Sequence, residues 1–117
     1  MFQRFYPDLY LDSAYQISFE ELYQKGYRGI IFDVDNTLVP HGAPADKRAK
    51  ELFEQLKGIG FSTCILSNNK EARVAPFASA VDSPYLFKGG KPSVKGYQKA
   101  MKRMGTGKNE TFFVENS

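Results

Sequence analysis

The sequence predicts one small α/β domain built on a parallel sheet, and three observations carry that prediction. Short strand-type runs alternate along the chain with amphipathic stretches of helical period, the pattern of strand-helix-strand units. The apolar run Ile30-Ile31-Phe32 leads straight into a polar turn carrying Asp33 and Asp35, and open α/β sheets bind ligands at such strand ends. With 117 residues, 42% of them hydrophobic, the chain can bury one core and is too short for a second domain. Residues 1–117 are therefore read as a single unit, with residues 1–26 an N-terminal segment and helix packed on the core.

The opening stretch carries Phe2, Phe5, Tyr6, Leu9, Tyr10 and Leu11 around Pro7. It is too aromatic for a free tail and too irregular for a helix, so it is expected to pack across the domain. Ser18-Phe19-Glu20-Glu21 reads as a capping box, with Ile17 stapled to Leu22 and the helix ending at Gly26. Residues 29–32 form the first strand. After it, residues 39–44 make a loop containing His41, the one histidine, which is read as exposed and not counted as catalytic. Ala45, Ala49, Leu52, Phe53 and Leu56 then recur at helical spacing and predict an amphipathic helix stopping at Gly58.

Residues 61–66 are the second strand, and Ser67-Asn68-Asn69 follow it to the same sheet edge as Asp33. Small polar residues there suit both a helix cap and a phosphate site. The helix expected over 70–75 should be limited by Pro76. Residues 83–87 read as a short third strand. Val94, Tyr97, Met101 and Met104 mark the inner side of a last helix that starts near Ser93 and stops at Gly105, with Lys95, Lys99, Lys102 and Arg103 opposite. Residues 111–114 form a fourth strand.

The net charge is +3, and residues 88–117 hold seven Lys or Arg against two Glu. A modest positive field favours phosphorylated ligands or an acidic membrane surface, but the basic helix face lacks the interleaved aromatics of a nucleic-acid platform, so no specific nucleic-acid partner is expected. No run approaches the ~20 apolar residues needed to cross a bilayer, and the first residues lack a signal-peptide core, which reads as cytoplasmic. Cys64 is the single cysteine and lies in an apolar strand, so it is expected to be a buried small hydrophobe.

The reactive centre is Asp33 with Asp35. Residues i and i+2 of an extended segment point to one side, and two carboxylates held close cannot both ionise freely. A hard cation such as magnesium relieves that repulsion. An Asp-x-Asp turn is also ordinary loop composition, and the pair by itself favours that plainer reading.

The order Asp33-Val34-Asp35-Asn36-Thr37-Leu38, followed by Leu66-Ser67-Asn68-Asn69 and Gly90-Lys91-Pro92, resembles the three successive motifs of the haloacid dehalogenase (HAD) superfamily. Tyr27-Arg28-Gly29-Ile30 and Gly90-Lys91-Pro92-Ser93 are most similar to its subfamily IIIA, the YqeG-like branch that includes phosphatidylglycerophosphate phosphatases. The likeness runs from about Pro7 to Val114. It implies a HAD-like Rossmann-type parallel sheet with flanking helices and no sizeable cap, since the interval from Leu38 to Ala45 leaves no room for one. It also implies a magnesium-dependent phosphomonoesterase. Asp33 would be the nucleophile forming an aspartyl phosphate and Asp35 the acid and base, with Ser67, Asn68 and Lys91 on the phosphate. Asp33 and the Asp35 backbone carbonyl would hold Mg2+, with Glu115 or Asn116 as the further candidate. An open site suits a phosphorylated small molecule or a phospholipid headgroup, with peripheral membrane contact.

The family continues past the fourth strand with a Gly-Asp pair and a further acidic residue. Here Glu115 and Asn116 stand at the pair and Ser117 is last, so the resemblance implies a chain truncated at the carboxyl end, with part of the sheet missing. Two expectations follow. One is an alternative function, a catalytically impaired HAD-like fragment acting as a binding or interaction module. The other is a homodimer through the sheet edge left bare along residues 111–114.

Overall fold

The computed structural model describes residues 3–5, 11–87 and 94–115. Five parallel strands form one sheet in the order β1 (Gln3–Phe5), β5 (Thr111–Val114), β2 (Gly29–Phe32), β3 (Ser62–Ser67) and β4 (Tyr85–Phe87). The expected α/β class and parallel sheet are what is found. Parallel strands need covering on both faces, and β2 accordingly buries all four of its residues. Its side chains alternate: Ile30 and Phe32 enter the larger core with Phe19, Phe53, Phe61, Ile65 and Phe77, whereas Ile31 joins Cys64, Leu66 and Phe113 on the other face.

Helices α1 (Phe19–Gln24), α2 (Lys47–Ile59) and α3 (Glu71–Val81) supply the larger core. Helix α4 (Val94–Met104) covers the second face, burying Tyr97, Ala100 and Met104 and exposing Lys95, Lys99, Lys102 and Arg103 as its periodicity requires. Cys64 is fully buried beneath α4, and burial pushes its thiol up to about 11. Among the described residues no helix is long and apolar enough to cross a membrane.

Several boundaries differ from expectation. The Ser18 side chain makes no cap bond, because its backbone (φ −82°, ψ 89°) lacks the extended geometry that aims a hydroxyl at the helix N–H groups. Asp46 has that geometry (ψ 179°) and caps α2 by accepting from Ala49 N at 2.8 Å. Ile17 and Leu22 do both pack against the core. Helix α2 runs past Gly58 to Gly60, whose φ of 120° ends it. Helix α3 continues through Pro76. Ala72, whose carbonyl loses a donor there, and Pro76 lie on the exposed side, where water can serve that carbonyl.

The fourth strand's outer edge is not bare. Strand β1 pairs with it in parallel, Gln3 opposite Phe112 and Phe5 opposite Val114. The backbone groups expected to recruit a second copy are therefore satisfied within the chain, which removes the reason given for a homodimer through that edge.

Candidate active site

Asp33 follows the last residue of β2, between β3 and β5. Its N–H donates to Val114 O at 2.9 Å, one more rung of the ladder. The strand order reverses here: the chain leaves β2 toward β3 but later returns past it to β5, making the crevice where open α/β sheets hold ligands. Beyond Asp33 the chain folds back at once. Val34 O accepts from Thr37 N and Leu38 N, and Asn36 N donates to Val39 O. Asn36 sits at φ 61°, a left-handed position that Asn tolerates better than most residues. Tyr15 OH donates to Leu38 O at 2.8 Å and ties this turn to the N-terminal segment. Burial of that hydroxyl, chiefly, pushes it up to about 12.

The two aspartates have opposite surroundings. Burial raises Asp33 from 3.8 to about 6; the Val34 N–H on Oδ1 at 2.8 Å opposes this, and the charges of Asp35 and Glu115 reinforce it. Burial also works against ionisation of Asp35, but donors outweigh it and hold this carboxyl below its ordinary value. Arg73 reaches Oδ1 through Nε at 3.2 Å and Nη2 at 2.8 Å, Gly42 N donates to the same oxygen at 2.8 Å, and Asn69 Nδ2 donates to Oδ2 at 3.1 Å.

Strand β3 delivers the other edge. Phe32 lies opposite Ile65, so Ser67 emerges one residue beyond the level of Asp33. Ser67 is buried and its Oγ accepts from Asn69 N at 3.1 Å, leaving the hydroxyl proton to donate. Asn68 is exposed. On the β5 side Phe32 lies opposite Val114, which sets Glu115 at the level of Asp33. Lys91 and Asn116 lie outside the described residues. Among the described residues no group of three or more His, Cys, Asp or Glu forms a metal cage.

Sequence reasoning brought Asp33, Asp35 and the Ser67 turn to one edge but missed Arg73 and the Gly42 N–H. A signal for Arg73 existed. It stands four residues after Asn69, in the first turn of the helix that leaves β3, and a helix aims such residues back along its amino-terminal end.

The family model for haloacid dehalogenase-like hydrolases matches residues 43–117. The chain belongs to that family. "Probable phosphatase YqeG" of Bacillus subtilis (strain 168) is 38% identical over 101 residues, covering 86% of this chain. The same stretch is 59% of that protein, so the chain spans about three-fifths of the relative's length. No solved structure gives a significant match. The HAD-like model's match begins beyond Asp33 and Asp35, so the case for these two side chains rests on their geometry.

Proposed function

We propose that this HAD-like chain carries the phosphoryl-transfer centre of a phosphatase that hydrolyses phosphomonoesters through Asp33. The observation that carries the reading is the meeting of both aspartates with the buried Ser67 hydroxyl at the carboxyl end of a parallel sheet where the strand order reverses. The roles of Asp33 and Asp35 follow the motif order, and a bound cation would offset the burial and negative charge that raise Asp33 and bring it to its carboxylate form.

In this reading Asp33 Oδ attacks phosphorus and the bond to the leaving oxygen breaks, its electron pair passing to that oxygen. Asp35, carrying a proton taken from solvent, gives it to the leaving oxygen, and as carboxylate then takes a proton from the water that hydrolyses the aspartyl phosphate. Ser67 donates its hydroxyl to a phosphate oxygen, and Lys91 is assigned to the same group from its motif. The oxygen-only, negative donor set suits magnesium: the Asp33 carboxylate, Glu115, and the Asp35 carbonyl, which accepts none of the hydrogen bonds closing the turn. When bound, the ion supplies charge neutralisation between Asp33 and the phosphate.

The test is hydrolysis of p-nitrophenyl phosphate with and without magnesium. Turnover is expected to need the ion and to fall at least about a thousandfold in Asp33→Asn. An Asp33→Asn chain that turns over normally would remove Asp33 from the chemistry.

A further inference from the structure

The hydrogen bonds on Asp35 are shared unevenly between its two oxygens. Oδ1 accepts three, from Arg73 Nε at 3.2 Å, Arg73 Nη2 at 2.8 Å and Gly42 N at 2.8 Å. Oδ2 accepts one, from Asn69 Nδ2 at 3.1 Å. A carboxylate oxygen offers two lone pairs, so Oδ1 is saturated and Oδ2 keeps room for a further partner. The two oxygens also face different parts of the fold. Oδ1 is turned to the loop after β2 and to α3, whereas Oδ2 meets Asn69, whose own N–H donates to Ser67 Oγ at 3.1 Å. Asn69 thus ties the open oxygen of Asp35 to the hydroxyl assigned to phosphate, and Oδ2 is the oxygen on the side of the reaction. Arg73 brings two of the three bonds to Oδ1 and the charge behind them. Its fork fixes an oxygen from two points, where a lysine ammonium would pull from one. The guanidinium is itself held: its side chain is 17% exposed, and the ring of Phe77, one turn on along α3, is centred 5.9 Å away.

We propose, resting on the role given to Asp35 above, that Arg73 is a positioning residue of the reaction: by saturating Oδ1 it keeps the Asp35 carboxylate turned so that Oδ2 alone points at the reacting oxygens. Arg73 acts only through Asp35. The last torsion of an aspartate side chain is broad, and without the fork one loop N–H and one carboxamide are left to fix the carboxylate plane. Most molecules then present Asp35 at the wrong angle. The chemical steps slow, while binding of the phosphate, which falls to other residues, is untouched. The hold is a matter of geometry as well as charge, so an arginine is required and a cation of another shape does not replace it.

A cleft of about 470 Å³ beside α3 supplies the test. Arg73 and Gly42 stand in its wall, so the space emptied by Arg73→Ala opens to solvent and admits a free guanidinium ion. Hydrolysis of p-nitrophenyl phosphate with magnesium is followed at steady state. Arg73→Ala is expected to lower kcat about a hundredfold without raising KM. Guanidinium chloride at about 20 mM, which costs almost no stability, should restore kcat about tenfold, and ammonium chloride at the same ionic strength should not. Arg73→Lys keeps the charge and loses the fork, so it should stay about tenfold below the original chain; it also carries the test if Arg73→Ala does not fold. On top of Asp35→Asn, Arg73→Ala should cost no further activity and guanidinium should do nothing. Lys50→Gln, an exposed position on the same cleft wall, should leave kcat as it is. An unchanged kcat in Arg73→Ala, a loss carried by a higher KM, rescue by ammonium, full activity in Arg73→Lys, or a loss that adds to that of Asp35→Asn would each overturn the proposal. Turnover that needs Asp33 but ignores Arg73 would sink the positioning role and spare the phosphatase reading. No turnover by the unaltered chain would remove the reading itself, and the positioning role with it.

Discussion

Asp33 and Asp35 are the same side chain two residues apart, pointing from one strand end, and the fold treats them oppositely. Around Asp33 the neighbours are sheet: β3 on one side, β5 on the other, with Glu115 bringing more negative charge and one N–H accompanying the carboxylate. Around Asp35 the neighbours are a loop and a helix, which arrive with an N–H, a carboxamide and a guanidinium. Strand periodicity predicts both on one side, but what meets them is decided by distant segments: Arg73 lies 38 residues from Asp35, and β5, beside Asp33, is farther still. Spacing makes the pair, and tertiary packing gives its members opposite electrostatic surroundings.

The sharpest way to test that contrast is to make the same substitution at both positions. The largest effect is expected from Asp33→Asn in metal-free buffer. Asp33 binds its proton more tightly folded (about 6) than its reference value of 3.8, so as pH rises from about 4 through 6 the folded state holds the extra proton and stability falls. Two units correspond to about 3 kcal/mol, which Asp33→Asn should recover above about pH 7 and not at pH 4. Urea denaturation at the two pH values measures it, and a gain equal at both would contradict the burial argument. Asp35→Asn should move the other way, losing about 1.5–3 kcal/mol at neutral pH, because the half-buried Arg73 and the Gly42 N–H lose a charged acceptor. The loss should shrink at low pH, where Asp35 itself becomes protonated. If both substitutions shift the urea midpoint in the same direction, the two environments are not opposed. The smallest effect is expected at the turn both aspartates share. Tyr15→Phe removes the hydroxyl on Leu38 O and should cost about 1 kcal/mol, visible in the same denaturation curves with no dependence on pH near neutrality.

Most of the framework was legible because it is written in local patterns. The runs at 29–32, 61–66 and 111–114 are apolar enough for buried parallel strands, and the stripes of α2 and α4 follow the helical period. Strand β1 was not legible: Gln3-Arg4-Phe5 has neither β-branched residues nor a regular alternation, and it is a strand by virtue of the partner that β5 provides. Pro76 misled for a related reason. A proline's cost depends on which face of the helix its missing donor lies on, and that is known only once the helix is packed. At the site, Asp33, Asp35 and Ser67 announced themselves through strand-end position and motif order. Arg73 did not, because an arginine in an amphipathic helix reads as surface until the loop carrying Gly42 and the turn carrying Asp35 close over it.

Cys64 gives the second face of the sheet a built-in clock. The thiol lies in β3 under α4, fully buried, and is held far from ionisation at neutral pH, so a disulfide reagent in solution finds almost no thiolate to attack while α4 is docked. Labelling must wait for α4 to lift away. When reclosing outruns the reagent, the labelling rate divided by that of an exposed thiol is the equilibrium constant for this opening. Compared with global unfolding, it would separate detachment of one helix from loss of the whole sheet, using a residue the chain already has and no introduced probe.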